Sequence, residues 1–232
     1  MSTTTSAARK LFPQVVEMKV TNGLMENYNY LIVDPKSNQS VIIDPAWEID
    51  KIDKAIADSG SKLSAVLLTH THPDHADLAS EVAYQYDVPI WVSQEEIDWS
   101  GFHDDRIVLL DETPFIIGQM FIQPIFTPGH TPGGYCFLIA DNLFTGDTLF
   151  AEGCGICDDD ESARVLFESL QQLKVQLSPD TKIFPGHCYG KAPGQLFSHL
   201  CRYNIYLQFS NPNHFASYLM RGKQNMKMFE FG

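Results

Sequence analysis

Short apolar runs broken by turn residues set the rhythm of the first half of the chain. Residues 14–20 and 29–33 alternate or cluster apolar positions as strands, and Asn22-Gly23 and Asp34-Pro35 punctuate them as turns. Ser40-Val41-Ile42-Ile43-Asp44 predicts a buried strand that ends on an acid and is stopped by Pro45. Ile49, Ile52, Ala55 and Ile56 then share one face of a helix expected over 48–59, with Gly60 at its end. A strand over 63–68, a helix over 76–86 and a strand over 88–92 follow. Alternation of that kind predicts an α/β layer arrangement. The polar, acidic segment 93–105 reads as loop and short helix, with His103 at the surface. Segments 115–120 and 121–126 read as paired strands around a Gly118 turn, and 135–140 and 143–145 as further strands. A helix over 162–175 turns Val165, Leu166, Leu170 and Leu173 inward, and the acids Asp158, Asp159, Asp160 and Glu161 suit its N-terminus. The last strand covers 182–185, and helices are expected over 194–209 and 213–220.

Composition narrows the class. At 232 residues with 44% hydrophobic content, the chain suits one large domain with a real core. It has no apolar run of transmembrane length. Residues 1–12 are Ser/Thr/Ala-rich, lack the apolar stretch of a secretory signal, and read as a disordered tail. The expectation is a cytoplasmic protein without membrane contact. An odd count of five cysteines argues against a disulfide framework, and Cys154-Gly155-Ile156-Cys157 has no second pair to complete a structural zinc site. A net charge of −13 disfavours nucleic acid. That charge is uneven. Residues 190–232 hold Lys191, Arg202, Arg221, Lys223 and Lys227 against Glu230 alone, so this stretch carries +4 and the remainder −17. The two readings are a local anion-binding face and a solvated basic surface.

The chemistry concentrates in Thr69-His70-Thr71-His72-Pro73-Asp74-His75, straight after an apolar strand. Ligands in α/β proteins bind at the carboxyl ends of strands. In extended chain His70 and His72 point to the same side, while Pro73 suits the first turn of a helix carrying Asp74 and His75. One loop could therefore face two metal positions. Three more strand ends each present a ligand: His130 within a Pro/Gly-rich loop, Asp147 behind Gly146, and His187 behind Gly186. Five imidazoles and two carboxylates suit two three-ligand sites with one bridging group. Asp44 fits either a support for this loop or the cap of the next helix.

The pattern His70-x-His72-x-Asp74-His75, then His130, Asp147 and His187, resembles the metallo-β-lactamase superfamily over residues 15–187. The resemblance implies an αββα sandwich, here as a 13–190 domain with a short C-terminal helical extension over 191–232 packed on it. It implies that His70, His72 and His130 hold one metal, that Asp74, His75 and His187 hold a second, and that Asp147 bridges. Asp74 and Asp147 are then the catalytic carboxylates, and the cofactor is two zinc ions, with iron or manganese as the alternative. Gly146-Asp147-Thr148-Leu149-Phe150 and Gly153-Cys154-Gly155 are similar to the glyoxalase II branch. The chain departs from that branch at Ala76-Asp77, where it has paired glycines, and at Ile156, where it has a basic glutathione contact. Its C-terminal piece is also short. Gly155-Ile156-Cys157-Asp158-Asp159, Gly186-His187-Cys188-Tyr189-Gly190 and Tyr218-Leu219-Met220-Arg221 resemble the zinc-dependent hydrolases associated with bacterial polyketide synthases. The implied activity is thioester cleavage by a metal-bridging hydroxide, on an acyl group carried by acyl carrier protein or a CoA-type thiol. Alternatives are glyoxalase II and a mononuclear iron persulfide dioxygenase. Candidate substrate contacts are Cys154, Ile156, Tyr189, Lys191, Arg202, Arg221 and Lys223, the basic ones for a phosphopantetheine phosphate or an acidic carrier protein.

Overall fold

The computed structural model describes residues 12–221. Two six-stranded sheets lie face to face with helices on both outer sides. Sheet one has the order β1 (Gln14–Asn22), β2 (Met25–Val33), β3 (Gln39–Ile43), β4 (Lys62–Leu67), β5 (Ile90–Ser93), β6 (Ile107–Leu110). The first three strands are antiparallel neighbours and β3 through β6 are parallel. Sheet two runs β12 (Gln195–Leu196), β11 (Lys182–Pro185), β10 (Asn142–Gly146), β9 (Tyr135–Ile139), β8 (Met120–Phe126), β7 (Phe115–Ile117).

Strand alternation builds three cores at once. On β2, Ile32 faces the inter-sheet core with Val41, Phe137 and Phe144, while Leu31 and Val33 face the outer helices. Sheets covered on both faces need apolar residues on both, so residues 30–33 of β2 and 65–67 of β4 are apolar and buried throughout. Outside sheet one pack α1 (Ile49–Ser59) and α3 (Ala79–Tyr86), through Ile52, Ile56 and Val82. Outside sheet two lie α5 (Asp160–Gln176), α6 (Phe197–Tyr203) and α7 (Pro212–Leu219). Phe197, Leu200, Phe215 and Ala216 share one cluster with Leu143, Leu166 and Leu170, so these C-terminal helices complete the sandwich's own outer layer. No described helix is long and apolar enough to cross a membrane.

Several elements differ from expectation for identifiable reasons. The 76–86 helix is two pieces, α2 (Pro73–Ala76) and α3, because the Leu78 N–H leaves the helical ladder for the Pro45 carbonyl (3.1 Å). The 194–209 helix is not continuous. Gln195–Leu196 pairs with β11, α6 follows, and Asn204 breaks the run before a 3₁₀ turn over Ile205–Gln208. Asn204 is buried because its amide donates to the carbonyls of Phe150 (3.0 Å) and Gly153 (2.9 Å). Strand β6 has no counterpart in the sequence expectation, whereas the short helix expected within 93–105 is present as α4 (Gln94–Ser100). On α5, Leu166, Leu170 and Leu173 are buried as expected, joined by Ala163 and Phe167, while Val165 is half-buried. Asp159 caps α5 through a reciprocal box with Ser162. Residues 1–11 of the expected tail, together with Lys223 and Lys227, lie outside the described residues.

Candidate metal centre

Four strands end at one edge of the sandwich, and each delivers side chains to the same spot. After β4 come Thr69 to His75, after β8 the 127–134 loop, after β10 Asp147, and after β11 His187. Backbone contacts clamp the two sheets together there. The Tyr135 N–H donates to the Thr69 carbonyl (2.8 Å), and the Tyr28 N–H to that of Gly186 (2.9 Å).

The side chains fall into two groups with ligand atoms within 4.8 Å of one another: His70, His72 and His130, and Asp74, His75 and His187. Asp147 lies between them. Its Oδ1 is 3.3 Å from His75 Nε2, and its Oδ2 is 3.6 Å from His130 Nε2 and 3.4 Å from His187 Nε2. All seven expected ligand residues are thus brought together.

Four of the five rings are oriented from behind and offer Nε2. His130 Nδ1 faces the Ile156 carbonyl (2.7 Å), and His187 Nδ1 faces the Glu26 carbonyl (2.8 Å). His75 Nδ1 faces Asp44 Oδ2 (2.9 Å). His70 Nδ1 lies 3.0 Å from Thr69 Oγ1, whose own proton goes to Asp44 Oδ2 (2.6 Å). A ring whose Nδ1–H is spent this way carries its lone pair on Nε2. His72 is the exception, turning Nδ1 inward to 3.0 Å from His130 Nε2. Asp44 also accepts the Thr69 N–H (2.7 Å), so it supports the loop rather than capping α1, whose N-cap is Glu48. Although Asp44 also lies close to His70 and His75, its carboxylate is committed behind their rings. Its φ of +51° aims the carboxylate back at Thr69, and no sequence signal marks that.

Three atoms test whether these residues fit metal ions. His70 Nε2, His75 Nε2 and Asp147 Oδ1 are buried and have no hydrogen-bond partner. A buried polar atom left unpaired costs about 1–3 kcal/mol; a cation here would satisfy His70 Nε2 and take the place of the 3.3 Å contact between His75 Nε2 and Asp147 Oδ1. The donor set of imidazole nitrogen and carboxylate oxygen suits zinc. The residues fit.

The charges respond to this crowding. Burial, aided by His75, pushes His70 well below the ordinary imidazole range. Burial also opposes charge on His187, but hydrogen bonds to Asp147 and Asp74 outweigh it and raise the ring to about 10. His75 is raised well above its ordinary value, Asp147 and Asp44 overcoming burial. His187 therefore contributes stability to the metal-free fold that is fully present below pH 6.5 and lost as pH climbs through about 10. At pH 8 the His187 ring, raised to about 10, keeps its proton, and a metal taking Nε2 would displace it. Zinc added to metal-free protein at pH 8 is expected to release about one proton per chain from this ring, fewer as pH approaches 10. Calorimetry in buffers of different ionisation enthalpy measures this, and a heat independent of buffer would contradict it.

The candidate substrate contacts are scattered. Ile156 and Tyr189 are exposed beside the centre, Ile156 through its carbonyl on His130 and Tyr189 with its ring 6.3 Å from that of His187. Cys154 is a correction. Its side chain is buried in the apolar core cluster, where burial raises the thiol well above its usual range. Lys191 follows β11 and its N–H donates to Glu152 (2.6 Å). Arg202 lies over Tyr203 on α6, and Arg221 over Tyr218 at the end of α7. Among the described residues none of these three charged side chains makes a salt bridge to a carboxylate, and they sit on separate elements rather than on one built face. Sequence reasoning missed Trp99 of α4, half-exposed with its ring 5.4 Å from that of His72. Its i+3 spacing from Glu96 on a short helix was the available signal.

A family model described as the metallo-beta-lactamase superfamily matches residues 23–187. The chain is 40% identical over 221 residues, 94% of its own length and 97% of the relative's, to a protein of Bacillus velezensis named a probable polyketide biosynthesis zinc-dependent hydrolase. It is 34% identical over 174 residues, 72% of this chain and 66% of the relative, to a hydroxyacylglutathione hydrolase of Thermosynechococcus vestitus. Among solved structures, a metallo-β-lactamase of Staphylococcus aureus superposes with a TM-score of 0.80 at 23% identity, covering 89% of this chain and 66% of that one.

Proposed function

The chain belongs to the metallo-β-lactamase superfamily, and from that premise we propose that it is a zinc-dependent hydrolase of polyketide biosynthesis that cleaves an acyl thioester at a two-zinc centre. The observation that carries this reading is the gathering of the His70/His72/His130 and Asp74/His75/His187 groups around Asp147 at the sandwich edge, where buried His70 Nε2, His75 Nε2 and Asp147 Oδ1 make no hydrogen bond. When bound, two zinc ions supply a water-derived nucleophile near neutral pH and Lewis-acid stabilisation of the developing oxyanion.

The protein's own groups do the rest. His70, His72 and His130 would hold one ion, and Asp74, His75 and His187 the other, with Asp147 within reach of both groups. Asp74 Oδ2 lies 3.1 Å from His187 Nε2 and belongs to the more exposed of the two carboxylates. A thiolate leaving group needs little protonation, since a thiol's pKa is about 8.5. That suits a site without a dedicated strong acid. Trp99, Ile156 and Tyr189 rim the centre with uncharged surface, which favours a pantetheine arm and apolar acyl group over the charged glutathione. Lys191, Arg202 and Arg221 remain available to an acidic carrier protein or to the phosphate of the arm.

The test couples metal quantification with hydrolysis of acyl thioesters of glutathione, CoA and a carrier protein. We expect about two zinc ions per chain and a kcat/KM at least about tenfold higher, about 1.4 kcal/mol, on the pantetheine-type substrates. Preference for the glutathione ester would instead favour a glyoxalase II role. A single iron with oxygen uptake would favour a persulfide dioxygenase. Either result overturns the proposal.

A further inference from the structure

Helix α4 carries a buried acid that the chemistry above does not use. Glu96 is 1% exposed. Ser93-x-x-Glu96 is a capping-box pattern, in which the acid ordinarily folds back onto its own N-cap N–H. Ser93 does cap the helix, its Oγ accepting the Glu96 N–H at 3.2 Å. The Glu96 carboxylate turns inward instead. Its Oε2 accepts the Thr71 N–H (2.9 Å) and the Thr71 hydroxyl (2.7 Å), and its Oε1 accepts the Gly133 N–H (3.0 Å). Ser93 Oγ donates to the Gly133 carbonyl at 2.8 Å, so α4 holds Gly133 at both its N–H and its C=O. A Cβ at Gly133 would lie 2.4 Å from Ser93 Oγ and 2.5 Å from Glu96 N, which leaves room only for glycine.

Thr71 stands between His70 and His72, and Gly133 closes the loop that presents His130. We infer that Glu96 is a positioning residue that ties these two loops together and so fixes the His70/His72/His130 metal position. The inference rests on the two-metal reading above. The Asp74/His75/His187 position is braced by other groups: the Asn27 amide on the Asp74 carbonyl, Asp44 on His75, and the Glu26 carbonyl on His187. None of these hydrogen-bonds to Thr71 or Gly133 among the described residues. Glu96 therefore acts on one position and not on its neighbour.

The test is zinc binding by metal-depleted protein in competition with a chromophoric chelator, with cobalt(II) spectra as a second readout. Glu96→Gln keeps the shape but sets an amide NH₂ where a carboxylate oxygen accepted. One of two equivalents is expected to weaken by about 10–100-fold, the usual cost of losing support behind a ligand, and the other to stay within about twofold. In a His72→Ala background, Glu96→Gln is expected to leave the remaining equivalent unchanged. Thr71→Val removes only the hydroxyl donor and should give a smaller shift at the same position, which covers the case of a poorly folding Glu96→Gln. Equal weakening of both equivalents, or of neither, in both variants overturns the inference. A wild type that takes a single equivalent sinks the two-metal reading. Glu96→Gln must then weaken that equivalent and His72→Ala must abolish it, or the positioning role falls as well.

Discussion

Asp147→Ala is expected to lower kcat for thioester hydrolysis by at least about 10³-fold, a loss of about 4 kcal/mol of transition-state stabilisation. Among the described residues no other side chain turns its two oxygens toward histidines of both groups, with Oδ1 on His75 and Oδ2 on His130 and His187. Burial disfavours its charge, yet the imidazoles of His75 and His187 hold its carboxyl well below the usual carboxylate range. The anion is thus built into the site before any metal arrives. Alanine removes the shared ligand and also leaves His75 and His187 without the partner that raises them. Zinc content should fall below two per chain along with the rate. Steady-state kinetics and metal quantification on the same sample check both. A variant within about tenfold of wild type and still holding two zinc ions would show that the bridging role is wrong.

The ligands were legible because metal chemistry demands rare residue types at strand ends. Four of them fall within residues 70–75, and His130, Asp147 and His187 each follow directly on an apolar strand with glycine nearby. The α/β layering was legible from the alternation of strand and helix through 40–92, and the sandwich followed from the resemblance carried by the ligand pattern. What escaped depends on partners distant in sequence. Glu96 reads as one acid in a polar segment, and its role appears only when Thr71, 25 residues away, and Gly133, 37 residues away, are beside it. Asp44 was open between two roles because a positive φ decides between them and a non-glycine residue gives no hint of one. Asn204 looks at home in a polar helix, yet its amide satisfies two carbonyls some fifty residues earlier and ends that helix. Tertiary demand overrode local propensity at each of these places.

Glycine placement at the centre leads to a second large effect. Gly186→Ala is expected to cut activity by at least about 100-fold, about 2.7 kcal/mol, while the protein still folds. The backbone at Gly186 has no positive φ to preserve, so the argument is one of space alone. An added Cβ would lie 2.3 Å from His75 Cε1 and 2.7 Å from Asp147 Oδ1. Neither neighbour can give way easily, because His75 is fully buried against Asp44 and Asp147 is the shared carboxylate. Nor can the chain retreat. The Gly186 N–H donates to the Gly146 carbonyl at 2.8 Å, and the Gly186 carbonyl accepts the Tyr28 N–H at 2.9 Å, which pins the peptide between the two sheets. The clash must therefore be relieved by tilting the His75 ring, whose Nε2 is one of the three buried atoms without a hydrogen bond. Overpacking of this kind costs about 1–3 kcal/mol of stability, too little to unfold a domain of this size but enough to misplace a ligand by a few tenths of an ångström. A thermal melt of the metal-free variant a few degrees below wild type, with weakened zinc binding and the lost rate, is the expected combination. Wild-type zinc affinity in Gly186→Ala would mean that the loop is softer than its hydrogen bonds imply.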